Sequence, residues 1–286
     1  LSIPSLFAQE KGLDQRIDDW FMPIASAWEG LVLTTIPLGE YNIPFVVVLL
    51  VVGATFFTVY FGFINVRRFP TAINIVRGKY DSIEDAAGDG EVSHFQALAT
   101  AVSGTVGLGN IAGVAVAIAL GGPGATFWMV VCGLIGMSTK FVECTLGVKY
   151  RDVGEDGTVY GGPMYYLSKG LEERGLKVLG KILGVVFAIL CVGASFGGGN
   201  AFQSNQAAVQ LSSLFGIEGG ASGVIIGIVL AVLVGIVIIG GIKRIASITE
   251  KIVPFMAGIY VLAALIIIFA NYSYIDDAFG LIFEGA

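Results

Sequence analysis

The stretch FQALATAVSGTVGLGNIAGVAVAI, residues 95–118, decides the fold. It is apolar enough to span a bilayer, yet Ser103-Gly104-Thr105-Val106-Gly107-Leu108-Gly109-Asn110 interrupts its middle with three glycines and several hydroxyl or amide groups. Each glycine costs about 1 kcal/mol against alanine inside a helix. In hydrocarbon, every backbone N–H and C=O released by a break must find a partner within the protein. A break kept under those conditions points to loosened backbone that binds a small solute or an ion.

Composition places the rest of the chain in the same setting. Of 286 residues, 55% are hydrophobic and 13% charged, about half the charge of an ordinary soluble domain. The 41 glycines suit helices that pack closely in lipid. A net charge of −6 without a basic stripe or base-stacking module excludes nucleic-acid binding. Cys132, Cys144 and Cys191 all fall inside apolar runs, with no metal-site spacing, and are read as small buried hydrophobes. His94, the one histidine, precedes a span and reads as a residue at a helix start. Leu6-Phe7-Ala8-Gln9 could be the tail of a removed signal, and both ends of the sequence read as cut.

Six stretches reach the roughly 20 apolar residues that a crossing needs: Ile43–Ile64, Phe95–Ile118, Gly124–Val148, Val178 to about Leu214, Gly223–Ile242 and Ile252–Asn271. The fourth would reach roughly 55 Å if straight, so it must tilt, project or break, with Gly197-Gly198-Gly199 as its weak point. Upstream, Trp20 and Trp28 beside Asp18, Asp19 and Glu29 predict a short amphipathic helix lying along the outer interface. The connections after spans one, three and five carry 13 of the 16 basic residues, including Arg67, Arg68, Arg77, Lys79, Lys243 and Lys251. The connections after spans two and four, and the tail after span six, carry acids and no Lys or Arg. By the positive-inside rule the basic loops are cytoplasmic and the N-terminal segment lies outside.

At the break, N–H groups following Gly107 would begin an outer half-helix whose positive end seats a carboxylate. Carbonyls of Ser103, Thr105 and Val106, with side-chain oxygens of Thr105 and Asn110, suit Na⁺ or an ammonium group. Donors on one side and acceptors on the other match a zwitterion plus a cation. A glycine crossing that only permits close packing would not require Thr105 or Asn110. A nucleotide loop is excluded, because Gly107, Gly109 and Gly113 read GxGxxxG with no preceding strand.

Three further groups could carry chemistry. In the fourth span, Ser195 to Gln203 offers glycines, amides and Phe196 and Phe202, either as a substrate-lining wall or as a solvated outer end; Gln206 and Gln210 read as solvated. Lys140 and Glu143, at i,i+3, read as a mutually neutralising pair near the cytoplasmic interface. Tyr160-Gly161-Gly162-Pro163-Met164-Tyr165-Tyr166 reads as a turn that folds back and anchors aromatics at the membrane face.

The run from Phe95 through Thr105-Val106-Gly107-Leu108-Gly109-Asn110 to Ala115 closely resembles the signature of the alanine or glycine:cation symporter family. So do Gly161-Gly162-Pro163-Met164-Tyr165-Tyr166 and Ser195-Phe196-Gly197 with Gly199, Asn200 and Gln203, in the same order. The Val106–Asn110 run is also similar to the unwound first helix of the leucine-transporter fold. The resemblance implies an all-α integral membrane protein of two inverted five-helix repeats with the site at mid-membrane. The chain would then hold an extracytoplasmic segment (1–42), an extra transmembrane helix (43–64), a cytoplasmic connection (65–94), the first repeat (95–271) and an outer connection (272–286), with the second repeat beginning just after Ala286. Backbone N–H groups of Leu108 and Gly109 would hold the substrate carboxylate, with Gly107 at the break. The Thr105 carbonyl would face the amino group or a sodium ion, the Asn110 side chain would ligate sodium, and the Ser103 and Val106 carbonyls would face a second sodium. Phe196, Gly197, Gly199 and Gln203 would form the second wall.

The function so implied is Na⁺-coupled uptake of a small neutral amino acid, alanine or glycine, across a bacterial or archaeal inner membrane. The lipid bilayer is the one other partner, and oligomeric state stays open with a monomer favoured. The alternatives are a proton-coupled carrier, a channel or passive pore, and an intramembrane enzyme for which only Lys140 and Glu143 offer charge at depth.

Overall fold

The computed structural model describes residues 13–39, 41–80, 92–155, 157–216 and 222–286. The expected signal tail Leu6–Gln9 and Glu218, expected in an outer connection, lie outside the described residues. The helix expected around Trp20 and Trp28 is α1 (Leu13–Val32), with both tryptophans exposed. Thr34 ends it, donating its hydroxyl to the carbonyls of Leu31 (2.8 Å) and Gly30 (3.0 Å).

A hairpin not foreseen from the sequence follows: β1 (Thr35–Leu38) pairs antiparallel with β2 (Tyr41–Pro44). The residues carry the signal, since Gly39 takes the left-handed conformation (φ 66°) that such a turn requires. The all-α expectation is therefore corrected to a mostly helical fold with two small hairpins. The hairpin also moves the start of the first apolar helix from Ile43 to Phe45: α2 runs Phe45–Tyr60. It stops early because Gly62 and Phe63 are both left-handed (φ 58° and 57°). At roughly 24 Å, α2 is short of the ~30 Å hydrocarbon core.

Two short helices, α3 (Ile64–Arg67) and α4 (Phe69–Val76), lead on. Helix α5 (His94–Thr105) opens with a reciprocal cap: Ser93 Oγ accepts the Gln96 N–H (3.2 Å) and Gln96 Oε1 accepts the Ser93 N–H (3.1 Å). Helix α6 (Leu108–Gly121) continues it at a 42° bend. Helix α7 (Gly124–Lys149) follows, then a hairpin of β3 (Asp152–Val153) and β4 (Val159–Tyr160). The predicted turn at Tyr160–Tyr166 is instead the end of β4 and the start of helix α8 (Pro163–Glu172). Gly162, at φ 113°, and Pro163, whose missing N–H costs nothing in a first turn, nucleate it.

The over-long fourth span is α9 (Lys177–Phe196) joined to α10 (Phe202–Phe215) by a π-helical turn at Gly197–Ala201. Helix α11 (Ser222–Ile238) ends before Gly241 (φ 68°), and α12 (Gly241–Ala270) starts there. The sixth span thus begins well before Ile252, and Lys243, Arg244 and Lys251 lie on helix rather than in a loop. At roughly 45 Å, α12 must tilt or project beyond the core. Helix α13 (Ile275–Glu284) completes the chain's elements.

Among the described residues, three helices are long and apolar enough to cross a membrane, or four with the bent α5–α6 pair as one span; α2 and Gly223–Ile238 of α11 are shorter apolar helices. Packing is pairwise: α2 on α7, α5 on α12, and α8 on α9. Thr58 joins the first pair, its hydroxyl reaching the Ile135 carbonyl at 3.0 Å, and Asn65 Nδ2 donates to the Leu134 carbonyl at 2.7 Å. Gly180 and Gly184 let α9 meet α8 backbone, since added Cβ atoms would lie 2.7 Å from the Leu167 carbonyl and 2.8 Å from Ser168 Oγ. The buried hydrophobic side chains among the described residues are small: Ala54, Ala99, Ala246 and Val253.

Candidate functional site

The break is two residues long. The Val106 N–H makes the last bond of α5, to the Val102 carbonyl at 2.8 Å. Gly107 is then fully extended (φ −142°, ψ −158°), and its N–H donates to Asn110 Oδ1 at 3.1 Å. In an unbroken helix that N–H would serve the Ser103 carbonyl. Among the described residues, no backbone N–H reaches the carbonyls of Ser103, Gly104, Thr105 or Val106. Gly104 adds a fourth acceptor to the predicted three. Counting donors four residues ahead would have found it, because the Leu108 N–H has left it.

On the other side, the Asn110 N–H returns to the Gly107 carbonyl at 3.1 Å. The N–H groups of Leu108 and Gly109 reach no acceptor among the described residues. Two free donors and the positive end of α6 therefore face the gap, an arrangement that favours an anion.

The side chains are more committed than the sequence suggested. Thr105 donates its hydroxyl proton back to the Ala101 carbonyl at 2.8 Å, so its oxygen can only accept or ligate. Asn110 Oδ1 is the cap of α6, with one lone pair left for a cation. Among the described residues, no three His, Cys, Asp or Glu side chains converge. From Ser103 to Asn110 the chain itself offers only neutral oxygens.

Gln203, on α10, is the member of the second wall that reaches the break. A Cβ placed on Gly107 would lie 3.3 Å from Gln203 Nε2 and 3.6 Å from Oε1. The amide thus rests on the bare Cα of Gly107, which brings two motifs remote in sequence together. Phe196, Gly197 and Gly199 are not brought to the break. Phe196 is 72% exposed, nothing lies within 4 Å of a Cβ on Gly197, and Gly199 meets only the Ala194 carbonyl of its own helix, at 3.6 Å. Ser103 to Val106 are exposed, so the gap is open on the side away from α10.

Lys140 and Glu143 pair at 3.1 Å on the exposed flank of α7. Burial, and then the Glu143 carboxylate, push the Tyr166 hydroxyl of α8 above the usual phenol range. His94 is the first residue of α5. The three cysteines are exposed rather than buried; an outward helix face in lipid is as apolar as a core, which is why composition did not separate the two.

The profile of the Sodium:alanine symporter family matches residues 33–286. The chain belongs to this family. Its members are membrane transporters and not enzymes, and they cross the membrane several times. Over 243 residues the chain is 47% identical to the sodium/alanine symporter AgcS of Methanococcus maripaludis, covering 85% of this chain and 51% of AgcS. It is 45% identical over 219 residues to the amino-acid carrier protein AlsT of Bacillus subtilis, covering 76% of this chain and 43% of AlsT. It is 41% identical over 248 residues to YrbD of the same organism, described as a putative sodium/proton-dependent alanine carrier protein, covering 86% of this chain and 47% of YrbD. The chain spans about half the length of these curated relatives.

Proposed function

We propose that this chain carries one half of the substrate and cation site of a Na⁺-coupled symporter for a small neutral amino acid, alanine or glycine. One observation carries the reading: within one break of α5–α6, free N–H groups of Leu108 and Gly109 face free carbonyls of Ser103 to Val106, with Gln203 against Gly107 as a wall. The donors suit the carboxylate of the substrate. The carbonyls and Asn110 Oδ1 suit Na⁺ and the ammonium group, and a cation held there offsets the carboxylate charge, which is the physical basis for coupling. In this reading residues 95–271 form the first of two inverted repeats, Ile43–Ile64 marks an extra helix, and the open side of the gap faces the second repeat. The basic connections lie in the cytoplasm, the N-terminal segment outside, and one helix bundle rocks against the other around the fixed site.

The test is uptake of radiolabelled alanine by the full-length protein in proteoliposomes. Accumulation above equilibrium with an inward Na⁺ gradient is the expected result. Accumulation driven equally by a proton gradient without Na⁺ moves the reading to proton coupling, and equilibration without accumulation moves it to a pore.

A further inference from the structure

Helix α4 is amphipathic the wrong way round for a soluble surface. Phe69, Ala72, Ile73 and Val76 fall at i, i+3, i+4 and i+7 and share one stripe. Its first turn faces outward, with Phe69 53% exposed and Ala72 and Ile73 exposed beside it, while Val76 is half-buried. The polar Thr71 and Asn74 are half-buried on the opposite side, toward the protein. Helix α4 packs on α3 and α5. Cations stand at both ends. Arg67 reaches the Gly62 carbonyl at 3.4 Å, while Arg68, Arg77 and Lys79 are exposed and have no acidic partner among the described residues. Tyr80, 57% exposed, adds an interfacial aromatic at the far end.

We infer that α4 lies in the cytoplasmic membrane interface, its exposed Phe69, Ala72 and Ile73 among acyl chains, and that Arg68, Arg77 and Lys79 hold the phosphate headgroup of an anionic phospholipid. An apolar stripe alone would not choose between lipid and protein. Three cations at its rim, without an acidic partner among the described residues, do, because an anionic headgroup supplies acceptors at that depth and long basic side chains reach it by snorkelling. Since α4 contacts α5, the headgroup anchors the element next to the cytoplasmic half of the broken helix. The inference rests on the membrane orientation proposed above.

The experiment is native mass spectrometry of the full-length protein titrated with phosphatidylglycerol or phosphatidylcholine. Wild type is compared with Arg68→Gln/Arg77→Gln/Lys79→Gln and with the control Lys243→Gln/Lys251→Gln. The triple variant is expected to bind phosphatidylglycerol about tenfold more weakly or worse, with phosphatidylcholine binding and the control unchanged. Equal phosphatidylglycerol affinity in wild type and triple variant overturns the headgroup site. A nitroxide on Ala72→Cys in nanodiscs, with the native cysteines replaced by serine, tests the stripe separately. Collision with oxygen but not with a nickel chelate is expected, and a label that reports water or rigid protein contact from the rest of the chain or a second copy overturns membrane immersion. Modification of Lys79→Cys by an impermeant thiol reagent from outside intact cells would instead overturn the orientation.

Discussion

Two glycine-rich interruptions of membrane helices sit in this chain, and they behave differently. At Val106–Gly107 the helix opens and turns by 42°. At Gly197–Ala201, with more glycine, it only widens into a π turn and continues from α9 to α10. The difference lies in what competes for one N–H. Asn110 stands three residues after Gly107 and takes its amide hydrogen at 3.1 Å, so the Ser103 carbonyl loses its partner. The Gly197 N–H still finds the Gly193 carbonyl within its own helix. Glycine permits a break; a side-chain acceptor placed to capture the freed donor makes one.

The strongest way to break this comparison is Gly107→Val. Extended backbone at φ −142° accepts any residue, so folding should survive. The Cβ and its branches would meet Gln203 at 3.3 Å and fill the gap. Na⁺-driven alanine uptake is expected to fall at least a hundredfold with normal yield of dispersed protein, and near-normal uptake would remove Gly107 from the site. Asn110→Ala comes next. It removes the cap, costing about 1 kcal/mol, and one cation ligand. The Na⁺ concentration for half-maximal uptake should rise about tenfold, and unchanged sodium dependence would sink the ligand assignment.

Gln203→Ala takes away the wall but neither the donors nor the carbonyls. It should raise the KM for alanine several-fold while leaving sodium dependence in place; a shift confined to sodium would move Gln203 to the cation side. The smallest effect belongs to Gly198→Ala. Nothing lies within 4 Å of its Cβ position, and alanine favours the helix by up to about 1 kcal/mol. Uptake within twofold of wild type and an unchanged or slightly higher thermal midpoint are expected. A loss equal to that of Gly107→Val would erase the distinction between the two interruptions.

The position of the break was legible because glycine, hydroxyl and amide groups in an apolar run conflict with helix formation wherever water is absent. Its width was not. The sequence shows Asn110 as a polar residue but does not show that its oxygen turns back to Gly107, which narrows the gap from eight residues to two. Gln203 was legible as an amide at depth, and its contact with Gly107 depends on how α10 packs, which no local pattern encodes. Phe196 carried the same motif-level signal and lies exposed. The hairpin at Thr35–Pro44 was written in Gly39 and flanking β-formers but was masked by the apolar run that follows. The early start of α12 was hidden because Lys243, Arg244 and Lys251 look like loop charges, although straight-chain basic residues are good helix formers.

The central claim is that free N–H groups of Leu108 and Gly109 seat the carboxylate of the transported amino acid. Competition against radiolabelled alanine uptake by the full-length protein, in saturating Na⁺, measures it directly. Unlabelled alanine should compete at its KM, while alaninamide, the same size without the carboxylate, should require at least about a hundredfold more, the cost of losing two charge-assisted hydrogen bonds. Equal competition by the two compounds would contradict the account.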